Sequence, residues 1–134
     1  MPTGEPPPTA KPSTREEALQ ALYAADTLGG ALSVEGLSTK GARLATAVWD
    51  RRHELDRAIA SRSLGWRVER MPAVDRAILR IGAHELLDTD LPVGVAVSEA
   101  VELAKKYSTA RSGSFVNGVL GTIGRDLAER RDEG

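Results

Sequence analysis

PAVDRAILRIGAHELL, residues 72–87, is the stretch from which the fold class follows. Val74, Ala77, Ile78 and Ile81 recur at helical spacing on one stripe, and Leu79, Ala83, Leu86 and Leu87 form a second. Residues three and four apart share a helix face, so this helix is apolar around most of its circumference. A helix of that kind must be surrounded by others, which predicts a central place in a helical bundle. Pro72 suits its start, where a missing N–H has no intrahelical acceptor to lose. Its polar line, Arg76, Arg80 and His84, is expected to be a solvated stripe, with a face for an acidic partner as the alternative.

On the N-terminal side, Ser13 or Thr14 can cap a helix whose first turn holds Glu16 and Glu17, carboxylates that complement the helix dipole. The Ser13–Glu16 spacing is that of a capping box. Ala18, Leu22 and Ala25, beside Leu19 and Tyr23, make its apolar side, and Gly29-Gly30 ends it. Residues 38–63 read as one longer helix with Leu44, Val48, Leu55 and Ile59 on one face. Gly65 breaks it, and residues 66–70 suit a short turn.

On the C-terminal side, Asp88 or Asp90 and then Pro92 mark a new helix carrying Val97, Ala100, Val101 and Ala104, with Glu102–Lys106 as a surface pair. A loop over residues 108–113 leads to a last helix, capped by Ser112 or Ser114, that buries Val116, Val119, Leu120, Ile123 and Leu127. Gly118, Gly121 and Gly124 recur in it and suit close helix packing. No segment alternates as a strand does, so the fold class is all-α. The expected organisation is a disordered proline-rich arm over residues 1–13, a helical domain over 14–128 and a charged, frayed tail over 129–134.

Composition narrows function. The 134 residues suit one domain. Lys and Arg number 18 against 19 Asp and Glu, for a net charge of −1; a nucleic-acid surface would have to be a local patch. Aromatics are limited to Tyr23, Trp49, Trp66, Tyr107 and Phe115, so aliphatic side chains and alanine must build the core. There is no cysteine, which excludes disulfides and thiolate metal sites. No apolar run approaches a membrane span and no apolar h-region begins the chain, so the protein is read as cytoplasmic.

A search for chemistry finds none. His53 and His84 are the only histidines, and His84-Glu85 is half of a zinc motif whose second histidine is replaced by Asp88. Asp75 and Glu85 stand ten residues apart on one helix, about 15 Å along its axis, too far to share a proton-transfer site. The 13 glycines form no phosphate loop. The expectation is no catalytic residue, no metal and no cofactor.

Three segments then become specific: ALQALYAAD (18–26) after Arg15-Glu16; VDRAILRIGAHELL (74–87) followed by DLPVGVAVSEAVELAKKYS (90–108); and SFVNGVLGTI (114–123). In this order and spacing they resemble the NusB family of transcription antitermination proteins. The resemblance implies a compact bundle of about seven helices and a binding role rather than a reaction. Its implied partners are NusE, a ribosomal protein, single-stranded boxA-type RNA and the antitermination complex on RNA polymerase, in support of ribosomal RNA operon transcription. The state is a monomer or a homodimer, with no membrane. A NusE-binding module without RNA binding, and a partner subunit of an rRNA methyltransferase, are the alternatives.

Single-stranded RNA needs cations for phosphates and flat groups for bases. The family's arginine-rich start corresponds here to KPSTREEAL (11–19), leaving Lys11 and Arg15 beside Glu16 and Glu17. That predicts weak RNA binding alone and stronger binding with NusE. Tyr23, Lys105, Arg111, Ser112, Ser114, Phe115 and Asn117 complete the candidate RNA set. Phe115 suits base stacking or a core anchor equally, Asn117 suits RNA or a local hydrogen bond, and Tyr23 a base or the core edge. The resemblance places the protein partner near Asp75 and Arg76, although Asp75 also sits where a helix dipole favours an acid.

Overall fold

The computed structural model describes residues 12–63 and 65–133. Among these residues it has six α-helices and no strand: α1 (Thr14–Thr27), α2 (Thr39–Asp50), α3 (Arg52–Ala60), α4 (Ala73–Asp88), α5 (Val93–Tyr107) and α6 (Ala110–Glu133), with a 3-10 turn at Val68–Arg70. The expected count of about seven thus resolves into six α-helices and that single turn. Residues 1–11 of the proline-rich arm lie outside the described residues.

α4 touches all five other helices, as its apolar circumference demands. Ala77, Ile78, Leu79, Ile81 and Ala83 are fully buried, while Leu87 at the end of the helix is 36% exposed. Around it pack Leu19 and Leu22 of α1, Val48 of α2, Leu55 and Ile59 of α3, and Val116, Leu120 and Ile123 of α6. α5 contributes Ala96, Ala100, Leu103 and Ala104, so its buried face is turned slightly from the expected one, and Val97 and Val101 are only half-buried.

Helix ends follow local chemistry. The Ser13 hydroxyl accepts from Glu16 N–H and Glu16 Oε1 accepts from Ser13 N–H, both at 3.1 Å, which is the capping box. α1 closes with the Gly30 N–H on Ala25 O at 2.8 Å, a return that uses left-handed φ values of +134° and +80° at Gly29 and Gly30.

The single helix expected over residues 38–63 is two helices. At Arg51 the chain turns (φ −99°, ψ 6°), and the Arg52 guanidinium donates to Trp49 O at 2.7 Å while lying 4.0 Å from the Trp49 ring centre. A carbonyl freed at the end of α2 is therefore satisfied, which lets α3 start in a new direction. The last helix begins earlier than expected, at Ala110. Its capping side chain is Thr109, whose Oγ1 accepts from Ser112 N–H at 3.0 Å, rather than Ser112 or Ser114. α6 also continues to Glu133, through residues where a frayed tail was expected.

Glycine packing differs from the i+3 ridge. A Cβ at Gly124 would meet Val93 Cγ1 at 2.5 Å, but at Gly118 it would meet nothing within 4 Å. The tighter glycine is Gly82 on α4, where a Cβ would lie 2.3 Å from Leu120 Cδ1 and 3.3 Å from Ala100 Cβ. That is the point at which α4, α5 and α6 come together.

Candidate functional site

Arg15 and the acids beside it are engaged within the fold. Arg15 Nε and Nη2 donate to Glu85 Oε1 and Oε2, each at 2.8 Å, and its Nη1 lies 3.8 Å from Glu99. The hydrogen bond to Glu85 raises the Arg15 pKa further. This bidentate pair ties α1 to the centre of α4. Glu17 accepts from the Ser38 backbone N–H at 2.8 Å and its hydroxyl at 2.6 Å, and these bonds hold its carboxyl below the usual range. It thereby supports the N-cap of α2. Lys11 lies outside the described residues.

Glu16 reaches across to the end of α5. Its Oε2 accepts from Lys106 Nζ at 2.7 Å and from the Tyr107 hydroxyl. The Lys106 bond first, then those from Tyr107 and the Ser13 backbone, lower its pKa to about 2. Lys106, expected to pair with Glu102, pairs here instead, and Glu102 is 3.7 Å from Lys105. Glu16→Gln keeps an acceptor for the capping box but removes the charge. Because the folded pKa lies below the ordinary 4.5, the carboxylate's stabilisation is complete above that value and vanishes as pH falls to 2. The variant is therefore expected to be less stable at neutral pH by no more than about 1 kcal/mol. In thermal melts across pH the gap from wild type narrows between pH 4.5 and 2; a constant gap there contradicts the assignment.

Tyr23, 46% exposed, and Tyr107, 38% exposed, line one cleft of about 460 Å³ with Gln20 and residues 72–74. The start of α6 lies against the start of α4. Ser112 Oγ donates to Asp75 Oδ2 at 2.8 Å, and Ser112 is also 3.0 Å from Ser108 Oγ and 3.1 Å from Thr109 Oγ1. Asp75 is buried, and its Oδ1 has no hydrogen-bond partner among the described residues. A buried acceptor without a donor costs free energy.

Arg76, Arg80 and His84 do not form the solvated stripe expected of them. Arg76 Nε donates to Asp26 at 3.0 Å, and its Nη1 donates to the carbonyls of Val68 and Met71. Arg80, only 6% exposed, makes two 2.7 Å bonds to Asp56 and one of 2.9 Å to Asp26. Burial disfavours its charge, but the two aspartates outweigh that and raise its pKa. His84, expected to be partly exposed, is buried with Nδ1 2.9 Å from Asp88 Oδ2. Asp88 is on α4 itself, but sequence spacing along α4 could not show that α1 and α3 supply Asp26 and Asp56.

On the outer face of α6, Arg111, Ser114 and Asn117 are exposed and Phe115 is half-buried. The Phe115 ring meets Trp66 at 6.2 Å between centres, with planes at 66°. The fold thus makes two clusters from the candidate set. Arg15 and Tyr23 lie on α1, which meets Lys106 and Tyr107 at the end of α5 through Glu16 and a shared cleft; Arg111, Ser114, Phe115 and Asn117 lie on α6, joined by Trp66 and by Lys105, whose side chain passes close to Gly113. The Ser112–Asp75 contact sits at the starts of α6 and α4. Sequence reading passed over Tyr107 and Trp66, although each is an aromatic directly beside a cation (Lys106, Arg67).

A model of the NusB family matches residues 12–125. The transcription antitermination protein NusB of Anaeromyxobacter dehalogenans is 42% identical over 130 aligned residues, covering 87% of this chain and 92% of that protein. Its counterpart in Symbiobacterium thermophilum is 56% identical over 86 residues, covering 63% of this chain and 56% of that protein. Among solved structures, T. maritima NusB superposes with a TM-score of 0.73 at 27% identity, covering 84% of this chain and 88% of that one. A structure of antitermination factors NusB and NusE in complex with dsRNA gives a TM-score of 0.71 at 25% identity, covering 84% and 94%. With matched sequence and matched helical architecture along the same residues, the chain belongs to the NusB family.

Proposed function

We propose that this chain is a transcription antitermination factor that binds boxA-type single-stranded RNA jointly with NusE and catalyses no reaction. The observation that carries this reading is that the fold leaves aromatic rings beside polar and cationic groups at two places on its surface. Tyr23 and Tyr107 share one cleft, and Phe115 lies on α6 with exposed Arg111, Ser114 and Asn117, the mixture that bases and phosphates require. Asp75 and Arg76, at the start of α4, are the proposed neighbourhood for NusE. A solved complex of family members with NusE and dsRNA supports the pairing of partners.

Gel-shift titration of labelled boxA-type RNA, with and without NusE, tests the reading. RNA binding by the chain alone is expected to be weak and to rise when NusE is added, because Arg15 and Lys106 are held by Glu85 and Glu16 and must give up those acids to meet phosphate. Equal affinity in both settings contradicts that account, and no shift in either removes the RNA half. A NusE-binding module without RNA binding is the second reading, favoured by the same two ion pairs. NusE binding without any RNA shift would select it.

A further inference from the structure

We propose that the Trp66 indole, braced by Phe115, is a stacking platform for an unpaired RNA base, flanked by Arg67, Arg70 and Arg111 as phosphate contacts. This deepens the function proposed above and rests on it.

Trp66 is 61% exposed in a chain with few aromatics, although its burial would be worth more than that of any aliphatic residue in the core. The segment carrying it is nevertheless well anchored. Trp66 N–H donates to Ser63 O at 3.1 Å, and the fully buried Ser63 hydroxyl donates to Trp66 O at 2.6 Å. Gly65 takes the left-handed φ of +91° that the turn requires. Just beyond, Val68 and Met71 are buried in the core. An exposed ring on a backbone fixed at both ends is prepared for contact, because little freedom is lost when a ligand arrives. Phe115 meets the indole at 66° rather than in parallel, so it covers at most one face and leaves another for a base.

The surrounding charge favours nucleic acid over a protein. Arg15, Arg51, Arg62, Arg76, Arg80 and Lys106 are all in ion pairs. Arg67, Arg70 and Arg111 are exposed and enter no ion pair among the described residues. Arg67 and Arg70 follow the indole in sequence, and Arg111 is one helical turn before Phe115. Glu69, the acid in the same 3-10 turn, lines a different cleft with Asp26, Asp56 and Arg76. The exposed residues that share the Phe115 face of α6 are Arg111 and Gly118, neither of them the further apolar side chain of a protein-docking patch.

The test uses the full chain with NusE and a short boxA-type single-stranded RNA, with wild-type binding measured first. Trp66→Ala is expected to weaken RNA binding about tenfold, the usual loss for one stacked base, and Trp66→Phe to recover most of it. NusE binding without RNA should be unchanged in both. In a Trp49→Phe protein, whose remaining tryptophan is Trp66, RNA should quench the indole emission. Wild-type affinity in Trp66→Ala overturns the inference, as does a Trp66→Phe variant as weak as alanine, or an equal loss of NusE binding without RNA, which would make this a protein-docking surface. A wild-type chain that binds no RNA even with NusE ends the proposed function itself, whereas RNA binding indifferent to Trp66 ends the stacking assignment alone.

Discussion

Arg80→Met is expected to lower the unfolding free energy by about 3 kcal/mol, the scale set by breaking a buried ion pair from one side. Methionine fills much of the same space, so the loss is electrostatic. Arg80 joins α4 to Asp56 of α3 through two 2.7 Å bonds and to Asp26 of α1 through a third at 2.9 Å. Without the guanidinium, Asp56 loses its partner and Asp26 retains only Arg76 among the described residues. Chemical denaturation of wild type, Arg80→Met, Asp56→Asn and the double variant measures this directly. The double variant should recover part of the loss, because neutralising Asp56 removes the stranded charge. A single variant within about 1 kcal/mol of wild type would mean that water solvates the carboxylates as well as Arg80 does.

Gly82→Val carries the other large effect, again about 3 kcal/mol. Alanine-like bulk at this position already presses on Leu120 Cδ1 at 2.3 Å and Ala100 Cβ at 3.3 Å. Leu120 is fully buried and cannot swing into solvent, so α4 and α6 must separate or Leu120 must leave its rotamer. The gain in helix propensity on replacing glycine, about 0.5 kcal/mol or less for a β-branched residue, does not compensate. Leu120→Ala alone should cost about 3 kcal/mol by leaving a cavity. Combined, the two changes should cost clearly less than their sum, since the valine occupies space that leucine vacates. Strict additivity in thermal or denaturant melts would show that Gly82 and Leu120 do not share that space.

Much of the fold was legible because helix periodicity is a local property. The two apolar stripes of residues 72–87 required a surrounded helix, and α4 does touch every other helix. The Ser13–Glu16 capping box and the Gly29-Gly30 stop were readable from neighbours within four residues, and both are present. Periodicity failed at Arg51, where Leu44, Val48, Leu55 and Ile59 kept their spacing across a break. One apolar stripe can be continued by two helices, and the stabilising Arg52 contact with Trp49 carries no periodic signal.

The candidate site was legible as a set of residue types and less so as a surface. Once the family resemblance suggested RNA, residue type marked Tyr23, Lys105, Arg111 and Phe115 as groups suited to it. Their availability was not readable. Arg15 meets Glu85 across 70 residues of chain, and Lys106 meets Glu16 across 90. Which cations are neutralised and which remain exposed is decided by those distant pairings.

By itself, then, the order of residues determined that this protein is built of helices, which face of most of them is buried, and which family it joins. Those properties arise from neighbours a turn apart and from motifs written contiguously. Only the tertiary structure decided that Arg76, Arg80 and His84 turn inward, that Asp75 lies beneath Ser112 and that Trp66 stands exposed against Phe115. Charge and exposure depend on what chain folding brings alongside a residue, and that partner is usually far away in sequence.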